Sequence, residues 1–251
     1  MMMERRLGKL PPRYDARTYR FSPVLATRVP EVPDSQDWSE GVPYQMWGND
    51  RFGCCAFAAH AALTATWTKA AQGLVVLSSE QVLQNYSAVT GFDPLTGQND
   101  NGTILLEQLG HWKSRGFVRP GQTKDYLTAY GVIDSHSVNG IKRGISYLGG
   151  VLAGVQVPRG FMDLPAGASW DWNAIQDHAF VGGHAIALTG YMPEGVFFNT
   201  WGRRTFMPWD TLLRICDEAY GLVSRQNWLT VRGVSPKAED IHGLVAEMSA
   251  A

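Results

Sequence analysis

Apolar positions divide the chain into two textures. Between residues 55 and 148 they recur mostly at helical spacing, whereas beyond Gly149-Gly150 they form short β-rich blocks separated by turns. The alanine-dense stretch CAFAAHAALTATWTK predicts a helix from Cys55 to about Lys69, because alanine is the best helix former and small enough to bury on several sides. Ser78, followed three residues later by Gln81, reads as a capping box that opens a second helix reaching about Val89. Leu105, Leu109 and Trp112 mark a third helix, Thr103 to Arg115, stopped at Gly116. Val138, Ile141, Ile145 and Leu148 mark a fourth, Ser137 to Leu148. The blocks VLAGVQV (151–157), GHAIALTGY (183–191), VFFNTW (196–201) and WLTVRG (228–233) predict strands. Helices first and strands later indicate an α+β protein with a helical lobe and a β lobe.

The flanks carry less pattern. Residues 1 to 47 hold Pro11, Pro12, Pro23, Pro30, Pro33 and Pro43 and read as an irregular, extended arm, since each proline fixes φ and removes a backbone donor. The tail beyond Ser235-Pro236 predicts one short helix. TGFDPLTGQNDNGT, Thr90 to Thr103, is a loop by its Gly and Asx content. Set on a calcium-binding loop, it would put Gly97 and Gln108 at the first and last ligand positions, and neither fits.

Composition narrows function. The chain has 251 residues, 45% of them hydrophobic, enough for a substantial core. Lys+Arg 22 against Asp+Glu 23 leaves a net charge of −1, which argues against an electrostatic grip on nucleic acid or on an anionic membrane. No apolar run approaches the roughly 18 residues of a membrane span. The basic residues of MMMERRLGKL are not followed by an apolar segment, so no secretory signal is expected and the chain reads as cytoplasmic when synthesised.

The candidate chemistry begins with GCCAF. Only Cys54, Cys55 and Cys216 exist, too few for a disulfide framework, and adjacent cysteines bond to each other only under strain. His178 and His184, six apart, have no matching cysteine pair, so a structural zinc is not expected, and no cofactor is implied. A cysteine opening a helix sits where unpaired N–H groups and the helix dipole favour a thiolate. His184 opens an apolar strand and Asn199 closes the next, so a sheet could bring the two together opposite that helix.

These segments resemble, in the same order, the papain-like cysteine peptidases with their Cys-His-Asn arrangement. Asp37-Trp38 resembles the segment near the mature N-terminus, Gly53-Cys54-Cys55-Ala56-Phe57 the nucleophile helix, and LSSEQVL (77–83) the helix after it. Asp100-Asn101-Gly102 lies near the family's glycine-rich substrate wall. His184-Ala185-Ile186 with Gly190-Tyr191 is similar to its histidine strand, and Asn199-Thr200-Trp201-Gly202 to its Asn-Ser-Trp-Gly. The likeness spans roughly residues 30 to 232.

The resemblance implies an arm at 1–43, a papain-like two-lobe catalytic domain at 44–232 (helical lobe about 44–120, antiparallel β lobe about 121–232) and a tail at 233–251. It implies Cys55 as nucleophile, His184 as its base, Asn199 orienting the imidazole, and Trp201 shielding that hydrogen bond. The family's oxyanion-hole glutamine stands six residues before the nucleophile; six before Cys55 is Asn49, an amide, whereas six before Cys54 is Gly48. The separation 184 − 55 = 129 is close to the ~130–150 residues typical of this histidine. Gly102 would belong to the substrate wall, and a thiolate–imidazolium pair is expected.

The chain also departs from the family. Asn49 is a methylene shorter than glutamine, Ala56 replaces the usual Trp, Thr200 replaces Ser, and the family's disulfides are missing. Only 54 residues precede Cys55, so latency through an N-terminal inhibitory domain is not expected. Such departures suggest a divergent microbial or phage-borne branch. The function implied is hydrolysis of a peptide or protein substrate through a thioester acyl-enzyme. Two alternatives stand beside it: a catalytically weak binding or structural module, for example in a bacteriophage virion, and an amide hydrolase acting on cell-wall peptide. Nothing in the sequence sets an oligomeric state.

Overall fold

A computed structural model describes residues 5–29 and 31–250, with side chains as far as Met248. The first four residues of the arm, Pro30 and the last residue of the tail lie outside the described residues. The elements run α1 (Phe21–Arg28), β1 (Gln36–Asp37), α2 (Cys55–Ala71), α3 (Ser79–Thr90), α4 (Leu105–Arg115), β2 (Phe117–Val118), β3 (Lys124–Asp125), β4 (Ala129–Ile133), α5 (Val138–Leu148) and β5 (Val151–Pro158). They continue with α6 (Arg159–Met162), β6 (Phe180–Met192), β7 (Gly195–Thr200), β8 (Arg203–Pro208), α7 (Trp209–Ile215), β9 (Cys216–Val223), α8 (Arg225–Trp228) and α9 (Ile241–Ala250).

The four helices read from the sequence are α2 to α5. Ser78 Oγ accepts the Gln81 N–H while the Gln81 side chain accepts the Ser78 N–H, so the capping box at α3 is complete. Ser137 caps α5 through the Gly140 N–H. Gly91 and Gly149 close α3 and α5 in the left-handed region. Nearly every position of α2 is buried, as its alanine content allows.

Among the described residues the main sheet has seven antiparallel strands, ordered β4-β9-β5-β6-β7-β8, with β1 paired to the far end of β6 through Gln36↔Tyr191 and Asp37↔Gly190. The architecture is α+β, as expected. α2 lies against β6, and the Trp67 indole is anchored to the Leu148 carbonyl at 2.9 Å. The sheet and α2 to α4 share one continuous apolar core.

Several elements differ from the sequence reading. WLTVRG is not a strand: Ser224 caps the short helix α8, Trp228 is buried with its indole on the Tyr147 carbonyl, and Thr230 to Gly233 turn back. The arm contains α1, because Pro23 falls in the first turn, where its missing N–H costs no helical hydrogen bond. The strands β4, β8 and β9 carry no clear period-2 apolar signal; β8 begins with two arginines and β9 with Cys-Asp-Glu. Cys216 is buried in the core at the start of β9.

Candidate active site

α2 brings the candidate nucleophile up to β6, the strand that carries the candidate base. Cys55 is the first residue of α2, and its buried Sγ lies against the backbone N–H groups of Ala185, Ala56 and Gly8. Ala185 is the neighbour of His184 on β6, where Val155↔His184 fixes the register against β5. Cys54, the N-cap residue, turns the other way: its Sγ meets the Trp47 carbonyl at 3.6 Å. Between the two cysteines, Cys55 faces the sheet.

The imidazole is held by a residue other than the expected one. His184 Nε2 is 2.8 Å from Thr200 Oγ1, whereas the Asn199 amide donates to the Arg203 carbonyl at 3.2 Å across the β7–β8 turn. Register explains the exchange. Asn199 stands opposite Ala187, on the face shared with Ala185; Thr200, one residue on, falls on the face of His184. His184 Nδ1 is buried and has no hydrogen-bond partner among the described residues. Trp201 stacks on the imidazole with centroids 4.5 Å apart and planes at 27°. Its backbone has φ +44, a conformation that costs a non-glycine residue about 1–3 kcal/mol and recurs at functional sites.

The cleft is filled by the arm itself. The Gly8 and Lys9 N–H groups both donate to the Gly183 carbonyl, at 3.2 and 3.1 Å. On the opposite wall the Leu10 N–H donates to the Thr103 carbonyl at 2.9 Å, and the Thr103 N–H donates to the Gly8 carbonyl at 2.8 Å. Residues 8–10 therefore lie as an added extended strand between the His184 strand and the 102–103 wall. Glycines make this approach possible: a Cβ on Gly53, Gly102 or Gly183 would crowd or overlap the backbone of residues 7–9. Asp100 pins the wall, its Oδ1 accepting from the Gly53 N–H and from the Tyr86 hydroxyl, both at 2.9 Å.

Asn49 reaches the same space despite its shorter side chain. Its amide donates to the Arg6 carbonyl at 3.1 Å and to the Phe52 carbonyl at 2.9 Å. The Trp201 indole also donates to the Arg6 carbonyl, at 3.3 Å, and the Arg5 guanidinium lies over that ring. The arm group against Cys55 Sγ is the Gly8 N–H, a donor.

Occlusion sets the electrostatics. Burial pushes the Cys55 thiol up to about 11 against the opposing pull of three backbone N–H groups and Lys9, and burial alone pushes His184 down to about 3. Both shifts favour the neutral thiol and the neutral imidazole. Burial of both groups works against the expected thiolate–imidazolium pair, because separating charge away from water is costly.

Gly102 offers a direct check on the groove. Its φ of +73 disfavours a side chain, and a Cβ would overlap the Gly8 carbonyl. Gly102→Ala is expected to cost about 1–2 kcal/mol of stability and to loosen the arm. Amide hydrogen exchange should then accelerate at Leu10, whose N–H loses its hold on Thr103, while α2 stays protected. Unchanged protection at Leu10 would contradict the arm's placement.

Thr200 and the arm residues Leu7, Gly8 and Lys9 were not singled out from the sequence. The Gly182-Gly183 pair before His184 and Gly53 before the cysteines were the available signals that backbone must pass close to both. His60, outside the cleft, packs between Trp112 and Phe117. Trp170 packs in the core beside Phe161, Phe198 and Trp201, and Trp172 stacks on His178 at the surface. No group of acidic, histidine and cysteine side chains among the described residues is arranged to hold a metal, and no helix among them is long and apolar enough to cross a membrane.

Solved structures share this fold. Xylellain, a cysteine protease from Xylella fastidiosa, superposes with a TM-score of 0.68 at 16% identity, over 89% of this chain and 99% of that one. Procathepsin B S9 from Trypanosoma congolense gives 0.59 at 14% identity, over 87% and 86%. The Carica candamarcensis cysteine protease CMS1MS2, in complex with E-64, gives 0.55 at 17% identity, over 77% and 99%. No protein-family model and no curated protein matches the sequence.

Proposed function

On the premise of its papain-like cysteine-protease fold, we propose that this chain is a cysteine peptidase held latent by its own residues 6–10. The observation that carries the reading is the extended backbone hydrogen-bonded to both walls, with the Gly8 N–H against Cys55 Sγ; it supports a groove suited to a polypeptide. With the arm displaced, water re-enters and the cost of charge separation falls. His184 then takes the Cys55 proton, and the resulting thiolate, at the start of α2, is favoured by the helix dipole. Sulfur attacks the substrate carbonyl carbon. The oxyanion is received by the Asn49 amide and the Cys55 N–H, and removal of one such donor typically costs about 2.7–4 kcal/mol. The imidazolium gives its proton to the leaving amine, leaving a thioester. His184 next takes a proton from water, whose oxygen attacks the thioester carbon, and the thiol is restored as the acid departs.

In this reading Thr200 is the positioning residue for the base and Trp201 shields the hydrogen bond between them. Asn199 supports the turn that carries Thr200. Thr200→Val, in a chain whose arm is displaced, should lower kcat about tenfold with KM little changed, the value of one lost positioning hydrogen bond. It should also shift the acidic limb of the kcat/KM profile. If Thr200→Val leaves both unchanged while Asn199→Ala abolishes turnover, the orienting role returns to Asn199.

The reading is tested by capture with a peptidyl epoxide, whose ring is opened by an active thiolate to give a stable thioether. The expected product is a single adduct on the peptide containing Cys55, formed once the arm is displaced and absent in His184→Ala. Adducts spread over all three cysteines, or none, would count against a peptidase.

A further inference from the structure

The Lys9 side chain leaves the arm and enters a pocket walled by the acids of β9. It is fully buried, with Nζ 2.8 Å from Asp217 Oδ2 and 3.3 Å from Glu218 Oε1. The pocket exists because residue 154 on β5 is glycine: a Cβ there would overlap Lys9 Cε and crowd Glu218 Cγ. Both carboxylates are held from behind. Gln156 Nε2 donates to Asp217 Oδ2 at 2.7 Å, and the Tyr220 hydroxyl donates to Glu218 Oε2 at 2.9 Å.

The charges do not balance with lysine as the occupant. Two carboxylates face one ammonium, which reaches Glu218 Oε1 only at 3.3 Å, and Asp217 Oδ1 is buried without a hydrogen-bond partner among the described residues. Burial raises the Glu218 pKa while Lys9 opposes it, so the acid depends on a cation for its charge. An emptied pocket would hold uncompensated carboxylates, a costly arrangement unless another cation enters. A guanidinium carries five donors in a planar fork and could meet Asp217 Oδ1, which the ammonium leaves bare, together with Glu218 Oε1.

We infer that this pocket selects the substrate: it takes a basic side chain, arginine in preference to lysine, and Lys9 is its stand-in while the arm occupies the cleft. The inference rests on the peptidase reading above and adds the class of peptide that the site would cut. Gly154, Asp217 and Glu218 are its specificity residues, and none of them belongs to the proposed Cys55–His184 machinery.

The test uses the full-length chain carrying Lys9→Ala, which empties the pocket and weakens the arm. Peptidyl chloromethyl ketones bearing Arg, Lys, Leu or Glu at each of the three residues nearest the warhead are reacted with it, and Cys55 labelling is followed by peptide mass spectrometry. At one position the Arg probe should outpace the Leu probe by about tenfold or more, with Lys between them and Glu slowest. Asp217→Asn with Glu218→Gln should erase that ratio and leave the Leu rate within about threefold. Gly154→Val, which blocks the pocket without touching a charge, should erase it too and serves if the double variant does not fold. Equal rates for Arg and Leu at all three positions would overturn the pocket assignment and leave the peptidase reading intact. No labelling by any peptidyl probe, while iodoacetamide still alkylates Cys55, would overturn the peptidase reading and this inference with it.

Discussion

Iodoacetamide should alkylate Cys55 slowly in the full chain at pH 7 and on the order of a hundredfold faster or more once the arm is displaced. The magnitude follows from the thiol. With burial holding Cys55 at about 11, the thiolate fraction at pH 7 is roughly one in ten thousand. A return only to the free-thiol value of ~8.5 would raise it to about 3%, and pairing with His184 would raise it further. Two single substitutions should displace the arm for independent reasons. Lys9→Asp sets a third carboxylate against Asp217 and Glu218, and Gly8→Val drives a side chain into the Gly53 carbonyl. The pH dependence carries the sign. In the full chain the rate should climb steadily through pH 9 and 10, because the raised thiol pKa keeps the reactive form scarce until then. In the displaced variants the rise should begin on the acid side of neutrality and disappear with His184→Ala. A thiol that stays near 11 after displacement would fit a catalytically weak binding module instead.

The second large effect separates the two cysteines. In an arm-displaced chain, Cys55→Ala should lower peptide turnover by at least about a thousandfold with little change in melting temperature, since it removes the nucleophile and leaves a small cavity. Cys54→Ala should retain most of the activity. The Cys54 sulfur faces the Trp47 carbonyl on the far side of the helix start, and burial beside Cys55 raises its pKa well beyond the usual range. Its loss should appear as about 1 kcal/mol of stability, the cost of removing a small buried group. Steady-state kinetics and thermal unfolding on the same preparations distinguish the two. Turnover lost with Cys54→Ala and kept with Cys55→Ala would reverse the assignment.

Local chemistry made much of this molecule legible in the sequence. The Ser78–Gln81 box, the Ser137 cap and the alanine content of α2 are short-range effects, and each appears where its residues predict. The Asn49 amide could be selected by counting from Cys55, and it donates to the Arg6 carbonyl of the arm. What the residues concealed depends on partners distant in the chain. β9 reads poorly as a strand because Asp217 and Glu218 serve a pocket instead of a core. WLTVRG imitates a strand because Trp228 and Leu229 are buried from the end of the short helix α8. Thr200 rather than Asn199 meets His184 through sheet register, which a single sequence leaves open by one residue. The arm's course through the cleft rests on Gly8 meeting Gly53, Gly102 and Gly183, contacts spread over more than a hundred residues of sequence.

The most direct test of a latent thiol peptidase is to catch its intermediate. An arm-displaced chain is mixed with a peptide ester or amide substrate, quenched in acid within the first turnovers, and weighed intact by mass spectrometry. The account predicts a species heavier than the protein by the acyl portion of the substrate, located on Cys55, released by hydroxylamine as a thioester would be, and absent from the full chain under the same conditions. Turnover that proceeds with no such adduct on Cys55, or equal adduct formation with the arm in place, would contradict it.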